Sequence, residues 1–209
     1  MRAGPALALV AALGFATACL AGPGQVADGK YYAPLDNFVV PVPGFVGLRV
    51  QDESDQTGGM VAFHGDLGGN RGVTYVRLPE GMDQAMSSEA RRDATYLSFV
   101  HDYALSSLFR RASPQAKIVW EESVNQGEER ALFAVVDIPG ASTLLDAKTG
   151  KRLDSVRALL VFHRHDFIYM VSDELNSALE SVDPAALGNE RLLAARVALE
   201  AMRAEMTFR

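Results

Sequence analysis

The strongest hydrophobic pattern in the chain lies between residues 156 and 172. Two runs of β-branched and aromatic residues, 156–163 and 167–172, flank the polar segment Arg164-His165-Asp166. This arrangement predicts a β-hairpin. Apolar residues occupy both odd and even positions of each run, so both faces of each strand would be apolar. Because such strands need cover on both faces, we predict that the hairpin lies in the middle of a sheet.

Seven shorter apolar runs precede this hairpin, and each predicts a strand. They cover residues 31–34, 38–42, 46–52, 60–64, 73–78, 117–125 and 130–137. Polar and glycine-rich segments separate several of them, for example residues 53–59 and 65–72. Short connections of this kind join antiparallel neighbours, so we expect a mostly antiparallel sheet.

Two stretches show the apolar periodicity of a helix that packs against a sheet. The first begins at Ser87 or Ser88 and ends near Arg111. Its predicted apolar stripe consists of Leu97, Val100, His101, Ala104, Leu105, Leu108 and Phe109. The second begins near Asp183 or Asn189, and its predicted stripe consists of Leu192, Ala195, Leu199, Met202 and Met206. We therefore predict an α+β fold in which two long helices pack on a mostly antiparallel central sheet.

The composition indicates one domain with a short appendage. The chain has 209 residues, 48% of them apolar and 22% charged, which is typical of a globular protein. Its net charge is −6, and no block of basic residues is present. Nucleic acid is therefore not an expected partner. We assign residues 31–209 to the single domain.

The first residues have the features of a secretory signal peptide. A positive start, Met1-Arg2, precedes the apolar run 6–15, and the small residues Ala16-Thr17-Ala18 follow. The run is shorter than the ~20 residues that a transmembrane helix needs. We therefore predict a signal peptide over residues 1–18, followed by a flexible tether over residues 19–30, which is rich in glycine, alanine and proline.

Cys19 is the only cysteine of the chain, so it has no partner for an internal disulfide. The segment Ala16-Thr17-Ala18-Cys19 resembles the lipobox of bacterial lipoproteins. The resemblance implies cleavage before Cys19, lipid on its thiol, and a periplasmic domain anchored to a membrane. By resemblance to the sorting rule of enteric bacteria, Leu20 favours the outer membrane. An ordinary cleavage after Ala18 is the alternative.

The order of elements resembles the PsbP-like superfamily of α/β/α sandwiches. The matching features are residues 38–44, the strand of Trp120 with its following hairpin, and residues 150–162 leading into 167–171. The resemblance covers residues 31–209 and is one of pattern. It implies an α/β/α sandwich, and members of the superfamily are mostly non-enzymatic binding or assembly factors.

His163 and His165 are the strongest candidates for a metal site. In continuous strand geometry both imidazoles would project from the same face, and His64 or Asp66 could supply a third ligand. The alternative is that both lie at a hairpin end, where the turn rotates one of them away. His101 is expected at the margin of the core, because it falls on the apolar stripe of the first helix.

Other candidate groups have structural explanations. Glu121-Glu122 and Glu128-Glu129 flank a predicted hairpin turn, where charge keeps a sheet edge soluble. Trp120 is expected in the core, and a place at the rim of a pocket is the alternative. No glycine-rich phosphate loop and no nucleophile elbow occur in the sequence.

The expected function is therefore that of a membrane-tethered periplasmic lipoprotein that binds or assembles something at the envelope. Lipidation is expected at Cys19. The expected partners of the protein are the membrane, which it contacts through the lipid, and a protein of the envelope. No catalytic residue, cofactor or metal is assigned, and an enzyme is not favoured. The alternative is a metal-dependent envelope enzyme or a small-ligand carrier that uses His163 and His165.

Overall fold

A computed structural model describes residues 23–82, 86, 88–126, 129–175 and 187–209 of the chain. Its strands are β1 (Gln25–Ala27), β2 (Lys30–Tyr32), β3 (Phe38–Pro41), β4 (Arg49–Ser54), β5 (Gly58–His64), β6 (Asn70–Arg77), β7 (Lys117–Gln126), β8 (Glu129–Ile138), β9 (Ser155–Arg164), β10 (Phe167–Glu174) and β11 (Thr207–Phe208). Its helices are α1 (Glu89–Ser98), α2 (Arg110–Ala112) and α3 (Asn189–Glu205). A π-helical stretch over Phe99–Phe109, here called the π segment, joins α1 to α2.

The strands of the described residues form two antiparallel sheets. The large sheet has the order β4-β5-β6-β10-β9-β8-β7, so the hairpin β9–β10 occupies its middle, which confirms the prediction from the apolar runs. The small sheet has the order β1-β2-β3-β11. The α+β class and the antiparallel pairing are therefore confirmed. The expectation of one central sheet was incomplete, because the short strands before residue 42 pair with each other and with the chain end.

One face of the large sheet packs against the small sheet and helix α3. Phe38 of β3 contacts the rings of Tyr75 and Tyr169, with centroids 5.2 and 5.8 Å apart. The Tyr169 hydroxyl accepts a hydrogen bond from the side-chain amide of Asn37 at 3.1 Å and donates one to the Asn37 carbonyl at 3.3 Å. Burying an aromatic ring such as that of Phe38 contributes about 1.5–3 kcal/mol. These contacts hold the small sheet on the large one.

The opposite face packs against α1 and the π segment. The side chains of the sheet that contact these helices are Leu132, Ala134, Val136, Leu159, Val161, Ile168 and Met170. The molecule therefore has three layers: a helical layer, the large sheet, and a layer of α3 with the small sheet. The two predicted helices thus lie on opposite faces. None of the described helices has the length and apolarity needed to cross a bilayer.

The π segment changes which residues of the first helix face the core. A π-helix has one residue more per hydrogen-bonded turn than an α-helix. The buried residues of the two stretches are Tyr96, Phe99, Val100, Ala104, Leu105 and Phe109. His101 falls off this pattern and is exposed; its Nε2 lies 2.8 Å from a carboxylate oxygen of Glu121. The expectation that His101 lies at the core margin was wrong, because it assumed regular α-helical spacing.

Several local boundaries differ from the predicted ones. Strand pairing extends to residues before Tyr31, since β1 pairs with β2, and the Gly24 N–H donates to the Asp52 carboxylate at 2.5 Å. Trp120 is 40% exposed rather than buried. A bulge between Ile118 and Trp120 shifts the register of the edge strand β7, so that Ile118 and Trp120 face opposite sides of the sheet. Helix α3 begins at Asn189, and Asp183 lies outside the described residues.

The ion pair between Asp93 and Arg130 ties α1 to β8. Two parallel hydrogen bonds of 2.7 Å join the guanidinium to the carboxylate, and these bonds hold the pKa of Asp93 below its usual value. Asp93→Asn should lower the melting temperature at pH 7 by roughly 2–4 °C, the effect of a strong but partly exposed pair. Since a depressed pKa stabilises the folded state only while the group is ionised, the difference should vanish as the pH falls through that pKa.

Glu89→Gln is the matched control. Glu89 lies on the same helix and faces the same arginine, but at 3.9 Å and with a side chain 70% exposed. The Glu89→Gln substitution should leave the melting temperature nearly unchanged at every pH. Equal effects of the two substitutions, measured by thermal denaturation, would contradict a specific role for the bidentate pair.

Candidate functional site

The connection between β8 and β9 folds back on itself as a small hairpin, residues 139–154, here called the crossing hairpin. The Ser142 N–H donates to the Leu153 carbonyl at 3.0 Å, and the Leu153 N–H donates to the Leu144 carbonyl at 3.0 Å. At its tip the Asp146 carboxylate accepts hydrogen bonds from the backbone of Lys148 and Thr149. An aspartate in this position forms an Asx turn, which explains why the segment reverses here.

The crossing hairpin extends across one end of the large sheet to the turn between β5 and β6. Leu144 of the hairpin packs on Gly68 of that turn. Gly68 has a φ of +95°, and a Cβ atom on it would lie 2.6 Å from the Leu144 Cδ1 atom. Only glycine accommodates both the backbone conformation and the close approach. The hairpin therefore covers the end of the sheet where β10 terminates.

A charged pair lies beneath the crossing hairpin, on the face of the sheet that α1 and the π segment cover elsewhere. Glu174 at the end of β10 and Arg157 on β9 are opposite each other in the strand register. The Arg157 Nη2 and Glu174 Oε2 atoms are 3.8 Å apart, and the Glu174 side chain is completely buried. Asn70, Ser142 and Ser155, which are all buried, surround the carboxylate. Neither carboxylate oxygen receives a well-formed hydrogen bond within the described residues.

Burial dominates the electrostatics of this pair. Loss of solvent raises the pKa of Glu174, against the attraction of Arg157 and the nearby polar groups, which lower it. Burial likewise lowers the pKa of Arg157, against the attraction of Glu174 and Asp173. The guanidinium nevertheless stays charged, because the ordinary pKa of an arginine lies far above neutral pH. A buried charge pair is a costly way to fill a core, so this one marks the end of the sheet as a candidate site.

An open cleft of about 400 Å³ lies at the mouth of this region. Its lining residues are Arg49, Val50, Gln51, His64, Thr143 and Arg152. Arg49 lies 3.5 Å from the Asp66 carboxylate, and both side chains are mostly exposed. Arg152 makes no ion pair with any residue that the structure describes. Burial, followed by the charges of Arg157 and Arg49, lowers the pKa of His64, so its imidazole is neutral at pH 7.

The lining of the cleft is suited to binding a ligand through hydrogen bonds. Two guanidinium groups, an amide, a hydroxyl and a neutral imidazole all offer hydrogen-bond donors. The nearest serine hydroxyls, those of Ser142 and Ser155, belong to residues with no exposed surface. The described residues contain no group of three or more His, Cys, Asp or Glu side chains that could hold a metal ion.

The histidines singled out in the sequence are not brought together. His165 lies in the two-residue turn of the β9–β10 hairpin with a φ of +49°, so it leaves the strand alternation that would place it beside His163. His163 faces the helical layer, where its backbone N–H contacts the Tyr96 hydroxyl. His64 and Asp66 lie at the other end of the sheet, roughly 20 Å away along the strands.

The remaining sequence candidates form ion pairs or lie outside the described residues. Glu121 pairs with His101, and Glu122 pairs with Arg196 of α3 at 3.1 Å. Glu129 pairs with both Arg164 and Arg203. Glu128 and the proposed lipidation site Cys19 are not among the residues that the structure describes.

A second cleft of about 350 Å³ lies at the opposite end, between α3 and β9. Two arginines, Arg164 and Arg203, line it together with Glu200 and Phe208. Because Glu129 is bonded to both guanidinium groups, their positive charge is largely neutralised. This cleft therefore offers less to a charged ligand than the cleft beneath the crossing hairpin.

Sequence reasoning did not identify Arg157, Glu174 or the residues of the cleft other than His64, which it considered only as a metal ligand. Arg157 lies within an apolar strand and Glu174 lies at the end of another. A charged residue in such a strand is the sequence signal that could have indicated a buried charge. Their register partnership depends on the length of the β9–β10 turn. The contributions of Arg49 and Arg152 depend on the path of the crossing hairpin, which no local pattern predicts.

Among known proteins, solved structures are the class in which this chain finds a match. The sequence matches no family model, and no curated protein matches it. Among solved structures, the chain is similar to the solution structure of cyanobacterial PsbP (CyanoP) from Synechocystis sp. PCC 6803. The TM-score is 0.44 and the sequence identity 11%, and the match covers 94% of this chain and 99% of the other.

Removing one member of the buried pair should destabilise the domain more than removing both. Arg157→Met leaves the Glu174 carboxylate buried without its counter-charge, which should cost about 3–5 kcal/mol at pH 7. The double variant Arg157→Met, Glu174→Gln leaves no buried charge and should recover much of that loss. Denaturant unfolding of the three proteins measures both effects.

The pH dependence of the same variants has a defined sign. A carboxyl whose folded pKa is raised binds its proton more readily in the folded state, so stability falls as the pH rises from the usual carboxyl pKa toward the raised one. Arg157→Met should raise the pKa of Glu174 further, and its deficit should therefore shrink as the pH is lowered. A deficit that does not change between pH 7 and pH 5 would contradict a charged, buried pair.

Proposed function

We propose that this protein is a lipid-anchored, non-catalytic binding domain of the bacterial cell envelope. Acyl chains on Cys19 would hold it at a membrane, and the domain would lie in the periplasm. By resemblance to the sorting rule of enteric bacteria, Leu20 directly after Cys19 favours the outer membrane. The domain would bind or help to assemble a protein or another component of the envelope.

The proposed location at a membrane is supported by the arrangement of the first residues. An apolar leader ends in small residues directly before the only cysteine of the chain. A single acyl chain gives marginal membrane residence, whereas two or three give stable anchoring at about 0.8 kcal/mol per buried methylene. Residues between Cys19 and Gly24 would separate the lipid from the ordered domain.

The binding role rests on one observation, the cleft beneath the crossing hairpin. Its donors and positive charge come from three separate parts of the chain, β4, β5 and the hairpin, and converge on one open space. Its lining consists of hydrogen-bond donors, namely two guanidinium groups, an amide, a hydroxyl and an imidazole. Such a lining supports recognition of a ligand rather than its conversion.

Membership in the PsbP-like superfamily forms a finer part of the same proposal. It is supported by the layer order of the described residues, in which helices lie on both faces of the large sheet. The superfamily consists mostly of binding and assembly factors, which agrees with the binding role proposed for the cleft. A fold alone does not determine a function, so the proposal depends on the cleft and the leader.

The lipid anchor can be tested directly in a bacterial host. Mass spectrometry of the mature N-terminus should find acyl groups on Cys19, and the protein should fractionate with membranes. Cys19→Ser should release it into the soluble fraction, because the thiol that carries the lipid is gone. Ala21→Ser is the matched control, since it adds a hydroxyl two residues away and keeps the thiol, and it should remain in the membrane fraction. An unmodified N-terminus would contradict the anchor.

The non-catalytic role has a separate test. Elemental analysis of the purified protein should find no stoichiometric zinc, copper or iron. If a metal is found and His163→Ala removes it while the fold is retained, the alternative of a metal-dependent enzyme replaces the binding role.

A further inference from the structure

The cleft beneath the crossing hairpin is positively charged in a protein that is acidic overall. The whole chain has a net charge of −6. Arg49 and Arg152 line the cleft, and Arg157 lies below it. The carboxylates that face these groups are Asp66 beside Arg49 and Glu174 beside Arg157. Asp173 also acts on Arg157, but its carboxylate is paired with Arg71 at 2.7 Å. Arg152 has no such partner within the described residues, so the mouth of the cleft keeps an excess of positive charge.

The two arginines of the mouth come from two different elements. Arg49 is the first residue of the edge strand β4, and Arg152 forms the isolated bridge with Leu145 in the crossing hairpin. A group held between them would contact the sheet on one side and the hairpin on the other. Each guanidinium presents a fork of N–H donors that matches the oxygens of a carboxylate or a phosphate.

The other lining side chains add donors between the two arginines. Gln51 uses one of its amide hydrogens in a 2.7 Å bond to Glu53, which leaves a second hydrogen. Thr143 offers a hydroxyl on the hairpin side. The Nδ1 atom of His64 is buried and has no hydrogen-bond partner within the described residues. Two arginine forks, an amide and a hydroxyl exceed what the two oxygens of a carboxylate can accept, whereas a phosphoryl group has three or four oxygens.

We propose that this cleft binds a phosphoryl group, held between Arg49 and Arg152 with Gln51 and Thr143 as further donors. The inference deepens the proposed binding function by naming its ligand class, and it rests on that function. The phosphoryl group can come from free phosphate, from a small phosphate ester, or from the headgroup of a phospholipid, since all present the same oxygens. Bound phosphate would also join the crossing hairpin to β4 and so stabilise the domain.

The first experiment titrates inorganic phosphate into the mature, detergent-extracted protein at constant ionic strength, with chloride as the balancing anion. Calorimetry should show saturable binding to one site per chain, and the melting temperature should rise with phosphate but not with chloride. No response beyond that of chloride would overturn the proposal.

Variants locate the site. Arg152→Gln should weaken phosphate binding about tenfold or more, which is the usual loss for a charge-assisted hydrogen bond. Lys151→Gln is the matched control, because it removes the same charge from the neighbouring residue, which does not line the cleft. Arg49→Gln, on the mostly exposed side chain of another element, gives a second variant whose folding does not depend on the hairpin. Equal losses in Arg152→Gln and Lys151→Gln would overturn the proposal, since they indicate a general charge effect.

Two further arms separate the sources of the phosphoryl group. Glycerol 3-phosphate and vesicles of phosphatidylglycerol in phosphatidylcholine replace inorganic phosphate, and each is tested against Arg152→Gln and Lys151→Gln. If the non-acylated Cys19→Ser protein binds the vesicles and a further Arg152→Gln substitution abolishes this binding, the result supports a phospholipid headgroup as the ligand. Saturable binding of glycerol 3-phosphate without vesicle binding would support a soluble ligand. If neither probe nor phosphate binds while Cys19 is acylated, the ligand class is wrong and the proposed anchor stands.

Discussion

Burial of the β9–β10 hairpin on both faces is the constraint on which the rest of the structure depends. Leu160 and Leu159 of β9 point to opposite sides of the sheet, and both are completely buried. A strand of this kind is stable only where each face is covered, and one helix cannot cover both. The chain therefore supplies α1 with the π segment on one face, and α3 with the small sheet on the other. Thr207 and Phe208 also contribute, because as β11 they pair with β3 and extend the small sheet.

The end of β10 is also covered, but there the cover encloses charged side chains. The helical layer is not the cover at this end, and the crossing hairpin takes its place above Glu174 and Arg157. Elsewhere several basic groups lie beside carboxylates of neighbouring elements, as Arg130 does with Asp93 and Arg203 with Glu129. Arg152 lies instead at an open mouth, on a segment that is anchored by Leu144 and Gly68. Local charge, and not the acidic character of the whole surface, therefore determines which ligands this end attracts.

Much of the fold could be predicted because its main signals are local. The apolar runs predicted the strands of the large sheet, and the two-faced pattern at residues 156–172 placed its central hairpin correctly. The register within that hairpin follows from its short turn. The errors arose where the backbone departs from regular helix or strand geometry. The π segment turned His101 outward, and the bulge beside Trp120 moved that side chain from the expected core to the surface of an edge strand.

By itself, the sequence determined the α+β class, the antiparallel pairing and the central hairpin, whereas the lipoprotein-like leader that ends at Cys19 stays a prediction. Each of these depends on the order of residues along a short stretch, so a pattern of spacing is enough to predict it. Only the tertiary structure decided that the small strands form a second sheet and that Arg49, His64 and Arg152 meet at one cleft. Those residues are separated by up to about a hundred positions, and their meeting depends on the path of the crossing hairpin over the sheet. That path is determined by packing between distant parts of the chain, such as Leu144 on Gly68, which leaves no periodic mark in the sequence.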